Sequence, residues 1–542
     1  VLATAVARGG DLLTAGEVGV VRAMLALDEP ALALYARLSA RVPECFARDT
    51  LPPFAGCADI EGALERLISE ELVDTLVPWD VRAEHSTREA LGEACRALGL
   101  SASGRHAERV ARLQGRRGWS SRRWVRLRHR ALLRRLEIWY FGHLYRDRSE
   151  RVVERLGYRR WPKYPLTSGH LFADRREMLR WESRIGGLRS VSDAALLEWL
   201  TVRPDPPGAL SLARRARREV AERAQGYERS GAVEEASRLW AALAHIGEHD
   251  AVVRWSRTLE LSGEPHEALA VLKAFRPRVE PDVRLGVVRA GRRLGRALGV
   301  GFPPDAPLRE PSERRLELAP GTADGVRPRW RVGAVEDTIE AALVAMLRGM
   351  GRAAVHAEGV LWSTLFGILF RDALFLPVPG ALPTPCLSCP LDWGTPDFAA
   401  RRHLTIAAIW EDIERGGGEE RLRTGFRDHF GERTVGVAWE SFELDFLVAA
   451  LRAASFPVLQ LVFGALLERG LAGLRGLPDL VLLPGPAIAL PAAFPSRLVD
   501  RLLFVEVKGP TDAVRDGQRV WADRLLDAGA LVETWNVRAA PV

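Results

Sequence analysis

Asp479, Glu506 and Lys508 are the residues whose types and spacing point most directly to chemistry. They stand in Gly476-Leu477-Pro478-Asp479-Leu480 and Phe504-Val505-Glu506-Val507-Lys508-Gly509. Residues two apart on a strand share a face, so a strand over Leu502–Val507 aims Glu506 and Lys508 the same way while Val505 and Val507 bury the other side. Asp479 opens the preceding apolar run, Leu480–Leu483, and pairing of the two strands brings its carboxylate beside Glu506. Two carboxylates at strand ends form a hard oxygen site suited to Mg²⁺ or Mn²⁺. Such an ion holds a phosphate oxygen, activates water and neutralises developing charge. A lysine beside it orients or deprotonates that water, or stabilises the transition state. The pattern points to metal-dependent hydrolysis of a phosphodiester.

Lysine usage supports this reading. Only Lys163, Lys273 and Lys508 are lysine, and the other 74 basic residues are arginine. By composition a given position is lysine about once in 180, yet lysine stands where this chemistry needs a compact, tunable charge. Arginine is bulkier and does not deprotonate.

The elements that must position these groups read as a mixed α/β domain. Leu480–Leu483 and Leu502–Val507 are strands bounded by Pro-Gly-Pro and Gly509-Pro510. Asp516–Leu526 has helical spacing, Gly529 stops it, and Leu531–Val537 is a further strand. Helical patterns over Val335–Met350 and Ala357–Arg371 precede them. With 542 residues, two to four domains are expected. Residues 1–80 read as helical, with apolar spacing in Ala31–Leu38 and Ile60–Leu72. Ser86–Leu113 reads as two short helices. Ser86 or Thr87 caps the first, Leu91, Ala94, Cys95 and Leu98 line one face, and Gly99 ends it before Arg105–Leu113. This pair resembles the SAP DNA-binding module. In Leu210–Phe275, Gly231, Glu235 and Ala236 recur as Gly263, Glu267 and Ala268, a period near that of tetratricopeptide repeats. Pro303–Pro328 is Pro-rich and charged and reads as a linker or surface loop. The expected domains are 1–80, 81–165, 166–330 and 331–542. The fold class is multidomain, α-helical through the first two-thirds, with a C-terminal α/β nuclease-type domain on a mixed central sheet.

Charge is concentrated. Ser101–Pro165 holds 19 Arg plus Lys against 5 Asp plus Glu, although the whole chain is only +7. That density is an electrostatic footprint for phosphates. In Arg116–Tyr145 a helix would place Arg122, Arg126, Arg130 and Arg134 in one stripe, and Arg122, Arg126 and Arg130 are the expected DNA contacts. Trp119, Trp124, Trp139 and Tyr140 interleave; an exposed ring can stack on a base, but aromatic residues at this spacing read first as core.

Other classes are disfavoured. Five scattered cysteines suit a reducing cytoplasm and no disulfide framework. No signal peptide is visible, and the apolar stretches Val360–Phe370 and Leu447–Leu467 read as buried helices, not membrane spans. Cys386-Leu387-Ser388-Cys389 lacks a second pair at zinc spacing and reads as a loop. Asp397…His403 and Asp428-His429 have no nucleophile nearby. No Gly-rich loop with Lys indicates ATP use.

At Gly476–Leu480, Phe504–Pro510 and Gln518-Arg519-Val520-Trp521 the chain resembles the PD-(D/E)XK nucleases, and within them the VRR-NUC group. Glu358-Gly359 with Thr364–Gly367, Gly436–Phe442 and the order of parts are similar to the Fanconi-associated nucleases. The resemblance implies a structure-specific DNA endonuclease with 5′-flap and 5′-to-3′ exonuclease activity in interstrand crosslink repair, acting on branched or flapped double-stranded DNA. It implies Glu358 and the Val507 carbonyl as further metal ligands beside Asp479 and Glu506, and places Gln518 near the active site as a DNA contact. A monomer on DNA, in a bacterial cytoplasm and on the nucleoid, is expected, with no membrane partner. The alternatives are a junction resolvase, usually short and dimeric, and a non-catalytic repair scaffold. Two features differ from the family pattern: Arg515 and Gly517 replace the usual polar pair before Gln518, and 26 residues, including the Pro/Ala-rich Pro484–Phe494, lie between Asp479 and Glu506.

Overall fold

Short strands organise the first of the two units into which the chain divides. The computed structural model describes residues 2–8, 12–41, 43–120, 122–141, 160–167, 172, 174–187, 191–201, 209–321, 329–333, 335–385, 387–485 and 501–540. One unit spans Val1–Arg151 with His170–Gly187, the other Val152–Gly169 with Leu188–Val542.

In the first unit β1 (Cys45–Ala47), β2 (Val73–Asp74) and β3 (Trp124–Leu127) form an antiparallel sheet in the order β1-β3-β2. Val125 and Leu127 bury against Leu34, Leu38, Leu64 and Leu67 of the helices Glu29–Ser39 and Ile60–Ser69. This corrects the expected arginine stripe. Trp124-Val125 has strand chemistry, and cross-strand pairing with two neighbours outweighs the four-residue spacing of the arginines. Arg126 therefore sits on β3 and pairs with Glu44 at 3.2 Å, Arg122 precedes the strand and pairs with Asp49 at 3.3 Å, and only Arg130 and Arg134 lie on the helix Arg130–Phe141. Arg130 Nη2 donates to the Arg41 carbonyl at 3.1 Å. Trp119, Trp124 and Trp139 are buried, as core aromatics should be; the Tyr140 side chain and residues 142–159 lie outside the described part of the chain.

The expected pair of short helices forms. Thr87 Oγ1 accepts from the Ala90 N–H and caps Arg88–Ala97, Gly99 takes φ +66°, and His106–Leu113 follows. Leu91, Ala94, Cys95, Leu113 and Trp119 form their common core.

In the second unit, five consecutive helices run from Ala209–Ser230 through Val233–His245, Ala251–Leu261 and Pro265–Phe275 to Pro281–Ala297. Gly231 and Gly263 adopt positive φ at equivalent turns, the structural form of the 32-residue repeat. The stretch expected as a linker is partly a strand. β4 (Ser312–Pro320) pairs in parallel with the strand 531–539 over seven residues. Its alternation of Leu316 and Leu318 with charged residues is masked in the sequence by the prolines on either side.

β4 joins a seven-stranded mixed sheet with β5 (Trp330–Val332), β6 (Val335–Asp337), β7 (Ala354–His356), β8 (Leu480–Leu482), β9 (Leu503–Lys508) and β10 (Leu531–Ala539), in the order β6-β5-β4-β10-β9-β8-β7. Both faces are covered, so all of β9 is buried. Val505 and Val507 pack with Leu480, Leu482, Trp535 and the helix Ile339–Gly349. Phe504 points into the larger core, where it stacks on Trp362 of the helix Val360–Leu369 with ring centroids 5.5 Å apart. Such a pair adds about 0.5–1.5 kcal/mol beyond area burial and ties that helix to the strand carrying Glu506. Phe456–Leu474 is long and apolar enough to cross a membrane by composition alone, but its helix supplies Val462, Phe463 and Leu466 to the same core.

Gly476 sets the approach of the helix Asp516–Asp527 to the loop before Asp479. It adopts φ +87°, and a Cβ there would meet the Gly517 carbonyl carbon at 2.7 Å. Both neighbours are backbone, so neither can yield without moving the helix. Gly476→Ala is expected to cost about 1–3 kcal/mol, read as a lowered thermal midpoint; an unchanged midpoint would show that this approach is not tight.

Candidate active site

The carboxylate of Asp479 is placed by main-chain bonds on both sides. Its own carbonyl accepts from the Ala357 N–H at 2.7 Å and the Glu358 N–H at 3.3 Å. Its Oδ2 accepts from the Val507 N–H at 2.8 Å. The first pair fastens the end of β7 to the start of β8, and the second holds the carboxylate against β9, between Glu506 and Lys508. Pro478 fixes the chain direction just before it.

Glu358 follows β7 at a sharp turn. It has φ +28° and Gly359 has φ +82°, after which the helix Val360–Leu369 begins. A glutamate at positive φ is strained; the two N–H bonds to Asp479 and the Trp362–Phe504 stack hold it there. The ligand atoms of Glu358, Asp479 and His356 all lie within 4.8 Å of one another. Sequence reasoning does not single out His356. The usable signal is its place two residues before Glu358 at the end of a strand pattern, where the alternation gives both residues one face.

On β9 the side chains of Glu506 and Lys508 point the same way, as the alternation requires. Lys508 Nζ lies 2.8 Å from Glu506 Oε1 and donates to Gln518 Oε1 at 3.1 Å. Gln518 Nε2 donates to Glu506 Oε1 at 2.5 Å, and its Oε1 also accepts from the Arg515 N–H at 2.8 Å. Gln518 thus clamps the Glu506–Lys508 pair from the first turn of the helix Asp516–Asp527. Arg289 holds that helix start through two 2.5 Å bonds to Asp516. Arg515, one of the departures from the family pattern, serves this arrangement by donating its N–H to Gln518; Gly517, the other, lies beside Gly476 where a Cβ would make only ordinary contact.

The electrostatics are those of a buried carboxyl, Glu506, beside a half-buried one, Asp479. Burial, and then the negative charge of Asp479, push the Glu506 carboxyl up to about 8 against the opposing pull of Lys508. Burial likewise raises Asp479, with the Val507 N–H opposing it. Glu506 Oε2 is buried with no hydrogen-bond donor. A buried acceptor oxygen without a donor, facing a second carboxylate, fits a divalent cation held by Asp479, Glu506 and Glu358. A cavity of about 490 Å³ borders Glu506, Gln518 and Thr534, so the buried carboxylate is reachable. Thr534 stands opposite Glu506 in the register of β10 with β9.

The structure therefore brings Glu358, Asp479, Glu506, Val507, Lys508 and Gln518 together. Arg122, Arg126 and Arg130 belong to the first unit. Cys386 and residues 486–494 of the insert lie outside the described residues.

Residues 414–539 match the VRR-NUC domain family. The chain is 30% identical over 419 residues to a Fanconi-associated nuclease 1 homologue of Pseudomonas aeruginosa, covering 76% of this chain and 70% of that protein. The chain belongs to the Fanconi-associated nuclease family. An Arabidopsis thaliana homologue of this nuclease family is also 30% identical over 302 residues, but the match spans 53% of this chain and only 32% of the plant protein. Among solved structures, paFAN1 bound to 5′-flap DNA with a 2-nucleotide flap and a gap superimposes with a TM-score of 0.79 at 26% identity, covering 100% of this chain and 97% of that one. As a Fanconi-associated nuclease the chain is a DNA hydrolase, and its acidic site suits divalent-metal dependence.

The raised Glu506 carboxyl gives the metal-free protein a definite pH dependence. At low pH the proton is bound in both folded and unfolded chains. As pH rises from the ordinary 4.5 to about 8 the unfolded chain releases it first, so stability falls across that window. In chelator, the melting temperature of the native chain should therefore fall more steeply between about pH 5 and pH 8 than that of Glu506→Gln. Parallel slopes would sink this account of the site.

Proposed function

We propose that this nuclease cleaves branched DNA by Mg²⁺- or Mn²⁺-dependent phosphodiester hydrolysis, with 5′-flap endonuclease and 5′-to-3′ exonuclease activity, in interstrand crosslink repair. The observation that carries this reading is the pairing of half-buried Asp479 with buried Glu506, with Lys508 and Gln518 clamped beside it. The flap preference draws support from the solved relative bound to 5′-flap DNA. Cytoplasmic residence, on the nucleoid when DNA is bound, belongs to the same proposal.

The chain's own groups divide the work. Asp479, Glu506 and Glu358 hold the cation, which when bound polarises the scissile phosphate and activates water. Asp479 keeps its orientation through the Val507 N–H, so its carboxylate needs no reorganisation as charge develops. Lys508 presents a fixed ammonium to the attacking water or to the equatorial phosphate oxygens. Gln518 prevents that ammonium from collapsing wholly onto Glu506, because its Oε1 accepts a hydrogen bond from Lys508 Nζ. Asp479→Ala and Glu506→Ala are expected to reduce Mg²⁺- or Mn²⁺-dependent cleavage of a 5′-flap duplex to background. Lys508→Ala should lower kcat about 10²–10⁴-fold, with native melting behaviour in each case. Undiminished cleavage by Lys508→Ala would remove this mechanism. Faster cleavage of four-way junctions than of flaps would favour resolvase activity.

Duplex binding falls to the basic segment of the first unit. Arg122 and Arg126 pair with acidic neighbours yet leave about 42% of each side chain exposed, so a phosphate can recruit them. Changing Arg122, Arg126 and Arg130 together to Gln should weaken binding equally for all sequences and lower the salt slope by about one unit for each phosphate no longer neutralised. Glutamine is preferred to glutamate because Asp49 and Glu44 stand beside two of the positions. An unaltered salt slope would place phosphate binding elsewhere.

A further inference from the structure

We infer that His356 is a nitrogen ligand of the metal site and tilts its selectivity from Mg²⁺ toward Mn²⁺. The inference rests on the reading of Asp479 and Glu506 as the metal-holding pair. His356 ends β7 opposite Leu480, the residue after Asp479, and stands two residues before Glu358. Its Nε2 lies 3.7 Å from Glu358 Oε1, too far for a hydrogen bond. The Asp479 carboxylate lies within 4.8 Å of the same ring, so the imidazole faces two carboxylates. The side chain is 38% exposed, open enough to accept an ion and fixed enough by its strand to be aimed.

The spacing suits a shared ion. The donor atoms of His356, Glu358 and Asp479 lie within 4.8 Å of one another. Two ligands at about 2.1 Å from one ion stand at most about 4.2 Å apart, so side-chain adjustments of well under an ångström are enough. A second observation lies beside that triad: Glu506, whose carboxyl adjoins Asp479, has a buried Oε2 with no donor. The donor set around His356 is then two carboxylates and one imidazole, with Glu506 adjoining through Asp479. Mg²⁺ favours oxygen and near-ideal octahedral geometry, whereas Mn²⁺ accepts oxygen with nitrogen and tolerates distortion. Nitrogen at this position therefore raises Mn²⁺ affinity without a matching gain for Mg²⁺.

The test uses the full chain with Mn²⁺ alone as probe. Electron spin-echo modulation of the bound Mn²⁺ should carry an imidazole ¹⁴N pattern, which changes to ¹⁵N when the protein is grown on ¹⁵N-histidine. His356→Ala should remove the pattern while Mn²⁺ stays bound. By calorimetry the same variant should bind Mn²⁺ about ten- to a hundredfold more weakly, with Mg²⁺ binding little changed. Bound Mn²⁺ without nitrogen modulation, or an equal weakening for both ions, overturns the role of His356 and leaves the carboxylate site standing. Mn²⁺ binding that survives Asp479→Ala and Glu506→Ala unchanged overturns both readings. The isotope experiment needs no substitution, so a variant that misfolds does not decide the matter.

Discussion

A buried carboxyl, Glu506, and a half-buried one, Asp479, are held side by side, and the nuclease unit is organised around keeping them there. Asp479 has no freedom to turn away, because the Val507 N–H and the two N–H groups donated to its carbonyl fix it from opposite sides. Glu506 cannot retreat along its strand, since β9 is paired on both edges. Lys508 relieves the repulsion between the two carboxylates, and a bound cation would relieve it further. The sheet and its two cores supply the free energy that sustains so unfavourable an arrangement.

The surrounding interactions serve that constraint. The Trp362–Phe504 stack joins the helix after Glu358 to the strand of Glu506, so the third carboxylate moves with the second. Gly476 lets the helix of Gln518 come within backbone distance of the loop before Asp479. Arg289 pins the first turn of that helix through Asp516. Each of these lies one residue or one turn from a functional group, which is where rigidity matters most.

Much of the site is legible in the sequence because its logic is local. Alternation along 504–508 gives the shared face of Glu506 and Lys508, and the rarity of lysine marks Lys508. Glu358 comes by resemblance alone, since its closeness to Asp479 depends on pairing between segments more than 120 residues apart. His356 escapes sequence reasoning for the same cause. The arginine periodicity misleads because β3 gains its identity from β1 and β2, which lie far away in sequence; spacing within one segment carries no trace of such partners. β4 is hidden because proline-rich flanks imitate a linker, while the alternation inside is only nine residues long.

The strand order has a consequence for biosynthesis. β10 is central, with β4 on one side and β9 on the other, although it is the last of the seven to be made. Until residues 531–539 leave the ribosome, the emerging chain holds two half-sheets with open edges, and β9 lacks one of its two neighbours. Glu506 and Lys508 therefore reach their working positions only after synthesis has passed β10. A chain stalled upstream carries these side chains on a strand with one edge still unpaired.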